Sequence, residues 1–372
     1  MKDLVIDADG HVVEDLAWIV DHVPPKWRPL APELLGEVGG HVTYRMEGKI
    51  WRSRFRFPNG AQNHNSAGGV TQRGGSDPAV RLEVLDSEGI DVAVLYASSG
   101  LLFALYETAE TPALLCRAYN DWLAQYCSAD PRRLAGVALL PQQSPELAAE
   151  ELHRAVTEHN FVGGMLRPNR IGGRTIDDPA FGVVWETAAR LDVPIVFHEA
   201  TLSGIDTVGS DRANSYAASH ISSHVLEGMM AMLVTTLAGL TERVPGLRLG
   251  FFECGCGWAP TWLDRIEEHF EFAPDDYLGG DPRGKVNRGT WLTFEIEEPG
   301  LISTLQQGWA DNVCFASDYP HFDAFFPGAV KHVRDRLQDP ALARKVLGAN
   351  ALAFYGSRLQ SLVEPLQSKG AS

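Results

Sequence analysis

The chain is poor in the features that mark several protein classes. Its five cysteines, Cys116, Cys127, Cys254, Cys256 and Cys314, are an odd count without regular spacing, which argues against a disulfide framework and reads as free thiols. Lys and Arg number 32 against 48 Asp and Glu, a formal net charge of −16, and no basic run exceeds a few residues. Phosphate neutralisation needs clustered cations, so nucleic acid is not an expected partner. No apolar stretch approaches the length of a bilayer span, so no membrane partner is expected either. The opening MKDLVIDADG meets charge too early for a secretory signal, and the protein is expected in the cytoplasm. There is no internal repeat and no low-complexity tract.

What is present is an alternation. With 45% hydrophobic residues over 372 positions, the chain can bury a large core in one big domain or two modest ones. Eight short apolar runs occur at 4–10, 92–98, 134–141, 161–169, 194–200, 248–255, 291–296 and 313–320. Most are nearly continuous rather than alternating, as strands covered on both faces are. Amphipathic helical patterns separate them. One opens at Ser144-Pro145, a cap followed by a first-turn proline, with Glu146 and Glu150 behind it. Eight strand-then-helix units predict an α/β fold, a distorted (β/α)8 TIM barrel, because parallel neighbours need a crossover. The alternative, a doubly wound open sheet, usually carries a glycine-rich first turn, which DADGHVVE is not.

The expected organisation is a single barrel domain over 1–372, a lid-like insertion at 12–80 after the first strand, and closing helices at 340–366. Within the insertion, HVTYRMEGKIWRSRFRF reads as a hairpin turning at Glu47-Gly48, and NGAQNHNSAGGVTQRGG (59–75) as a mobile loop.

Barrel enzymes keep their chemistry at the carboxyl ends of the strands. The first run ends in VIDADGH, placing Asp9 and His11 two apart and on one side. The fourth ends with Arg167 and Asn169, the fifth with His198 and Glu199, the sixth with Glu253, and the eighth with Asp318 followed by His321. Singly, each residue has a structural explanation, as a cap, an ion pair or a satisfied core histidine. Together they place costly charges where packing does not need them. Asp9, His11, His198 and Asp318 offer two carboxylates and two imidazoles, a set suited to one Zn or Mn ion, with iron also admissible. Cys254 and Cys256 flank Glu253, but CxC alone is a weak signal, and Cys254 is expected to point away into the helix layer.

VIDADGH with VVED, LRPN, FHEA, ECGCGW, SDYPHFD and GANALAFYG, in that order, resembles the amidohydrolase superfamily, and within it the aminocarboxymuconate-semialdehyde decarboxylase-like branch. The similarity covers most of the chain except 40–80. It implies a distorted barrel with one catalytic divalent metal. The family's His-x-His reads here as Asp9-Gly10-His11, its strand-five histidine falls on His198 and its strand-eight aspartate on Asp318. Where the family often presents a catalytic histidine on strand six, this chain has Glu253.

Two mechanisms follow. In the first, the resemblance implies non-oxidative decarboxylation of a small unsaturated or aromatic carboxylate, with Asp318 or His321 supplying the proton. In the second, a metal-activated water, with Glu253 or Asp318 as base, hydrolyses a lactone, amide or C–C bond. A third reading, a metal-free binding barrel, is disfavoured by the retained ionisable groups. Arg167 either pairs with Asp9 or Glu199 or captures a substrate carboxylate. His224 and His220 are expected within reach of the pocket, the alternative being a surface position at a helix start. Trp258 and Tyr319 are expected as aromatic walls, with plain packing the alternative. Nine tryptophans and a long helical tail leave room for a homodimer.

Overall fold

Eight parallel strands form one sheet in the order β1 (Ile6–His11), β5 (Val92–Tyr96), β6 (Leu134–Leu139), β7 (Gly163–Leu166), β8 (Ile195–His198), β9 (Leu249–Phe252), β10 (Thr290–Thr293) and β11 (Val313–Cys314). The structure, a computed structural model, describes residues 3–38, 41–56, 70–200 and 205–368. The sheet curls into a (β/α)8 barrel. It closes where the Ala8 N–H donates to Phe315 O at 2.9 Å, Asp318 N–H to Asp9 O at 3.0 Å and His11 N–H to Tyr319 O at 2.8 Å. Strands β5 to β10 are buried at every residue, matching their continuous apolar runs. The eighth run yields only a two-residue strand, because the chain beyond Cys314 bonds to β1 and to the Val346 carbonyl instead of extending the ladder.

Around the sheet lie α3 (Pro78–Glu88), α4 (Glu110–Cys127), α5 (Pro145–Glu158), α6 (Gly182–Leu191), α7 (Tyr216–Leu237), α8 (Ala259–Phe270) and α9 (Ala329–Leu337). Local chemistry sets their ends. Ser144 Oγ accepts from the Leu147 N–H at 3.3 Å with Pro145 in the first turn. Asp77 caps α3, and Gly89, at φ 71°, ends it in the left-handed conformation that glycine adopts without strain. Helix α7 starts at Tyr216, capped by Ser215, well ahead of the apolar run at Val225.

Between β1 and α3 the insertion forms α1 (Leu16–His22) and a small antiparallel sheet of β2 (Glu33–Val38), β3 (His41–Met46) and β4 (Lys49–Arg52). The hairpin turns at Glu47-Gly48, both at positive φ (51° and 73°), as a two-residue turn matched to strand twist requires. Of the segment read as mobile, 59–69 lies outside the described residues, and the remainder belongs to α2 (Val70–Ser76), a helix. Its glycines serve close packing there: a Cβ on Gly74 would meet Tyr319 Oη at 2.6 Å, and one on Gly75 would meet Val13 at 2.7 Å.

The chain ends in a short helix at Pro340–Arg344 and in α10 (Asn350–Ser368). Tyr355 of α10 donates its hydroxyl to Ala8 O at 2.6 Å and meets the Tyr96 hydroxyl beneath β1. Among the described residues, no helix is long and apolar enough to cross a membrane.

Candidate metal centre

Strand β1 turns Asp9 and His11 to the same side, and β8 brings His198 against them; all three are buried. His11 Nδ1 bonds Ala97 O at 3.0 Å, and His198 Nδ1 bonds Glu199 O at 2.8 Å. A carbonyl accepts only from N–H, so each ring carries its proton on Nδ1 and, when neutral, presents a lone pair at Nε2. The two Nε2 atoms stand 3.1 Å apart. Two lone pairs at that distance repel unless something positive lies with them.

The carboxylates repeat the demand. Asp9 Oδ1 lies 3.6 Å from His11 Nε2, Asp9 Oδ2 lies 3.6 Å from His198 Nε2, and Asp318 Oδ1 lies 3.5 Å from His11 Nε2. Among the described residues, Asp9 Oδ1 and Asp318 Oδ1 are buried oxygens that accept no aligned hydrogen bond, although His321 Nδ1 is only 2.6 Å from the latter. Burial pushes both carboxyls above their ordinary range and pushes His11 below its own, helped by the cationic tendency of His321 and His198. Burial also opposes charge on His198, yet Glu253 and Asp9 outweigh it and raise that ring. The cluster calls for positive charge at the Nε2 pair, as a proton or, better matched to four donors, a divalent cation.

The four expected ligands therefore meet, in two overlapping groups that share His11. Donor atoms of Asp9, His11 and His198 all lie within 4.8 Å of one another, as do those of His11, Glu253, Asp318 and His321. Glu253 Oε2 is 2.8 Å from His198 Nε2, and Oε1 is 3.4 Å from His224 Nε2. Burial raises the Glu253 carboxyl, but the two imidazoles overcome this and hold it well below the usual range. His224, which a helix-start position would put at the surface, is buried because α7 begins upstream of it. Burial lowers His321, Asp318 overrides it, and the ring is raised to about 9. His321 stacks on His11 at 4.0 Å, and its Nε2 lies 2.9 Å from Ser98 Oγ. Ser98 was not singled out in the sequence, although it ends the second apolar run and the strand-end rule reaches it.

Other expected members lie outside this cluster. Arg167 is buried and pairs with Glu199; its Nε donates to Asn169 at 2.7 Å and its Nη2 to Ala200 O at 3.2 Å. Of its two readings, the internal ion pair is the one the structure contains. His220 is 3.4 Å from Asp323, and its ring lies 4.8 Å from that of His224. Trp258 donates its indole N–H to Cys254 O at 2.8 Å, on the α7 side of the strand end. Tyr319 lies under Arg81, whose guanidinium is 4.6 Å from the ring. Cys254 packs against Gly228 of α7, so it points away from the site while Glu253 points in. A cavity of about 160 Å³ adjoins the cluster, lined by Asp9, Glu253, Asp318, Phe294 and Phe325 among others.

Comparison with known proteins agrees with this architecture. The chain is 26% identical over 289 residues to a 2-amino-3-carboxymuconate-6-semialdehyde decarboxylase of Dictyostelium discoideum, covering 75% of this chain and 77% of that one. It is 37% identical over 249 residues to a gamma-resorcylate decarboxylase of Polaromonas sp. strain JS666, covering 64% and 76%. Among solved structures, an amidohydrolase from Mycobacterium avium subsp. paratuberculosis K-10 superposes with a TM-score of 0.79 at 20% identity, covering 96% and 98%. A dihydroxybenzoic acid decarboxylase from Polaromonas sp. JS666, with bound manganese and the inhibitor 2-nitroresorcinol, superposes at 0.65 with 21% identity, covering 95% and 97%. An amidohydrolase family model matches residues 6–357, and the chain belongs to that family.

Proposed function

We propose that this protein is a divalent-metal-dependent decarboxylase of a small aromatic or unsaturated carboxylate. The observation that carries the metal is the pair of Nε2 lone pairs, His11 and His198, held 3.1 Å apart beside buried carboxylate oxygens of Asp9 and Asp318. The reaction class is supported by the two decarboxylases to which the chain is similar. A cation held by Asp9, His11, His198 and Asp318 supplies Lewis-acid polarisation of substrate oxygens. Manganese is the proposed ion, because two carboxylates suit a hard cation; zinc is the alternative.

The chain's own groups then position the substrate and move a proton. Phe294 and Phe325 wall the adjoining cavity and suit a planar apolar ring. His321 carries a proton at Nδ1, 2.6 Å from Asp318 Oδ1, with Ser98 on its other nitrogen. As the bond from the ring or alkene carbon to the carboxylate carbon breaks, CO2 leaves. The electron pair left behind takes the proton from the Asp318–His321 couple, and solvent restores it. The balance is one carboxylate and one proton in, one C–H product and CO2 out.

One observation favours the hydrolytic alternative: Glu253, held anionic between His198 and His224, is a suitable base for water. The residue 12–80 insertion is proposed as a lid. Its hairpin tip Glu47 accepts from Thr108 at 2.9 Å, Lys49 reaches Glu107 at 2.7 Å and Arg54 reaches Ala213 O at 3.3 Å, all on loops at the carboxyl ends of the strands. A cytoplasmic homodimer completes the proposal, testable by light scattering. The activity test is CO2 release from gamma-resorcylate and from 2-amino-3-carboxymuconate-6-semialdehyde by manganese-loaded protein. No release from these or related aromatic acids would reject the reading.

A further inference from the structure

We infer that Arg81, acting with Asp7, is a positioning device that sets the spacing of the metal ligands across the seam of the barrel. The inference rests on the metal-site reading above.

Seven of the eight strand joints are hydrogen-bonded ladders; the eighth, between β11 and β1, is not. That joint is also where two ligand-bearing segments meet, with His11 Nε2 and Asp318 Oδ1 3.5 Å apart. Besides three backbone hydrogen bonds, two buried side chains hold it. Asp7 accepts from the Ser317 N–H at 2.8 Å and the Ser317 hydroxyl at 2.6 Å, fixing the residue before Asp318. Arg81 reaches across from α3, donating to the His11 carbonyl, to Tyr319 O at 3.2 Å and to Gly74 O at 3.2 Å. It thus grips one ligand residue by its own carbonyl and another by its chain neighbour, and ties both to the end of the insertion.

Arg81 is wholly buried; its hydrogen bonds run to three backbone carbonyls and to the Tyr126 side chain, and its charge acts on the nearby Asp7 carboxyl without a direct ion pair among the described residues. A buried cation held this way is costly, and a fold needing only stability would fill the space with apolar atoms. What the guanidinium offers is geometry: a rigid planar fork reaching several carbonyls at once, which an ammonium does not reproduce. Gly10 belongs to the same device, since a Cβ there would meet Asp7 Oδ2 at 2.8 Å.

The test is manganese titration of the chelator-stripped full-length protein, well below its unfolding midpoint. It compares wild type, Arg81→Lys, Ser317→Ala and a control, Asn120→Ala. Asn120 is buried in the helix layer and bonds Leu139 and Glu151, so its loss lowers stability away from the seam. Arg81→Lys is expected to weaken manganese binding about tenfold or more, and Ser317→Ala roughly threefold, as loss of ligand-orienting contacts does. The control, comparably destabilised, should bind like wild type. A folded Arg81→Lys that binds manganese as wild type does would overturn the inference. Should that variant not fold, an unchanged affinity in Ser317→Ala would overturn it equally. Wild type failing to bind manganese would instead overturn the metal reading itself, seen before any variant is compared.

Discussion

Glu253 and Asp318 share an unusual backbone angle: in the segments that follow β9 and β11, both take positive φ, 53° and 54°. Most side chains avoid that region, and holding one there costs about 1 kcal/mol or more. The barrel accepts this twice, at two carboxylates facing the same pocket. Asn tolerates the left-handed region as Asp does. Asp318→Asn should therefore keep its thermal midpoint while losing at least ~100-fold in turnover, the scale of one proton-transfer group. Substantial retained activity would remove Asp318 from the mechanism.

His198→Ala takes away one of the two facing nitrogens and leaves Glu253 without its 2.8 Å partner. Elemental analysis after dialysis should show metal content falling from near one ion per chain to a small fraction. Unchanged stoichiometry would count against ligation by this ring.

For Arg167, the ion pair with Glu199 predicts a stability effect. Arg167→Met strands a buried carboxylate and should cost about 3–5 kcal/mol, measured by denaturant unfolding. A variant of full stability whose KM alone rises would restore the substrate-carboxylate role.

Solvent isotopes separate the two chemistries. In deuterated water, decarboxylation puts one deuterium on the carbon that lost CO2. In ¹⁸O water, hydrolysis puts labelled oxygen in the organic product. Label from ¹⁸O water in that product would exclude the decarboxylase reading.

Much of this arrangement was legible in the sequence, because strand ends are written in residue types: an apolar run that stops at Asp, His or Glu announces both the strand and its exit. The hairpin at Glu47-Gly48 was equally plain, since few dipeptides suit that turn. What escaped notice did so for physical reasons. Strand β2, ELLGEV, lacks a clean alternation and has Gly36 within it. The start of α7, YAASHISSH, shows no apolar periodicity, so the sequence places His224 near the pocket without revealing that it is buried. Arg81 sits in an ordinary amphipathic pattern, where arginine marks the wet face. Only the fold shows that this one points inward.

The Tyr355 hydroxyl on Ala8 O has a consequence for how damage spreads. It joins α10 to the strand that carries Asp9 and His11, across a separation of 347 residues in the chain. Loosening that remote helix would take a buried partner from the residue directly before Asp9, so injury far from the pocket would be felt within it.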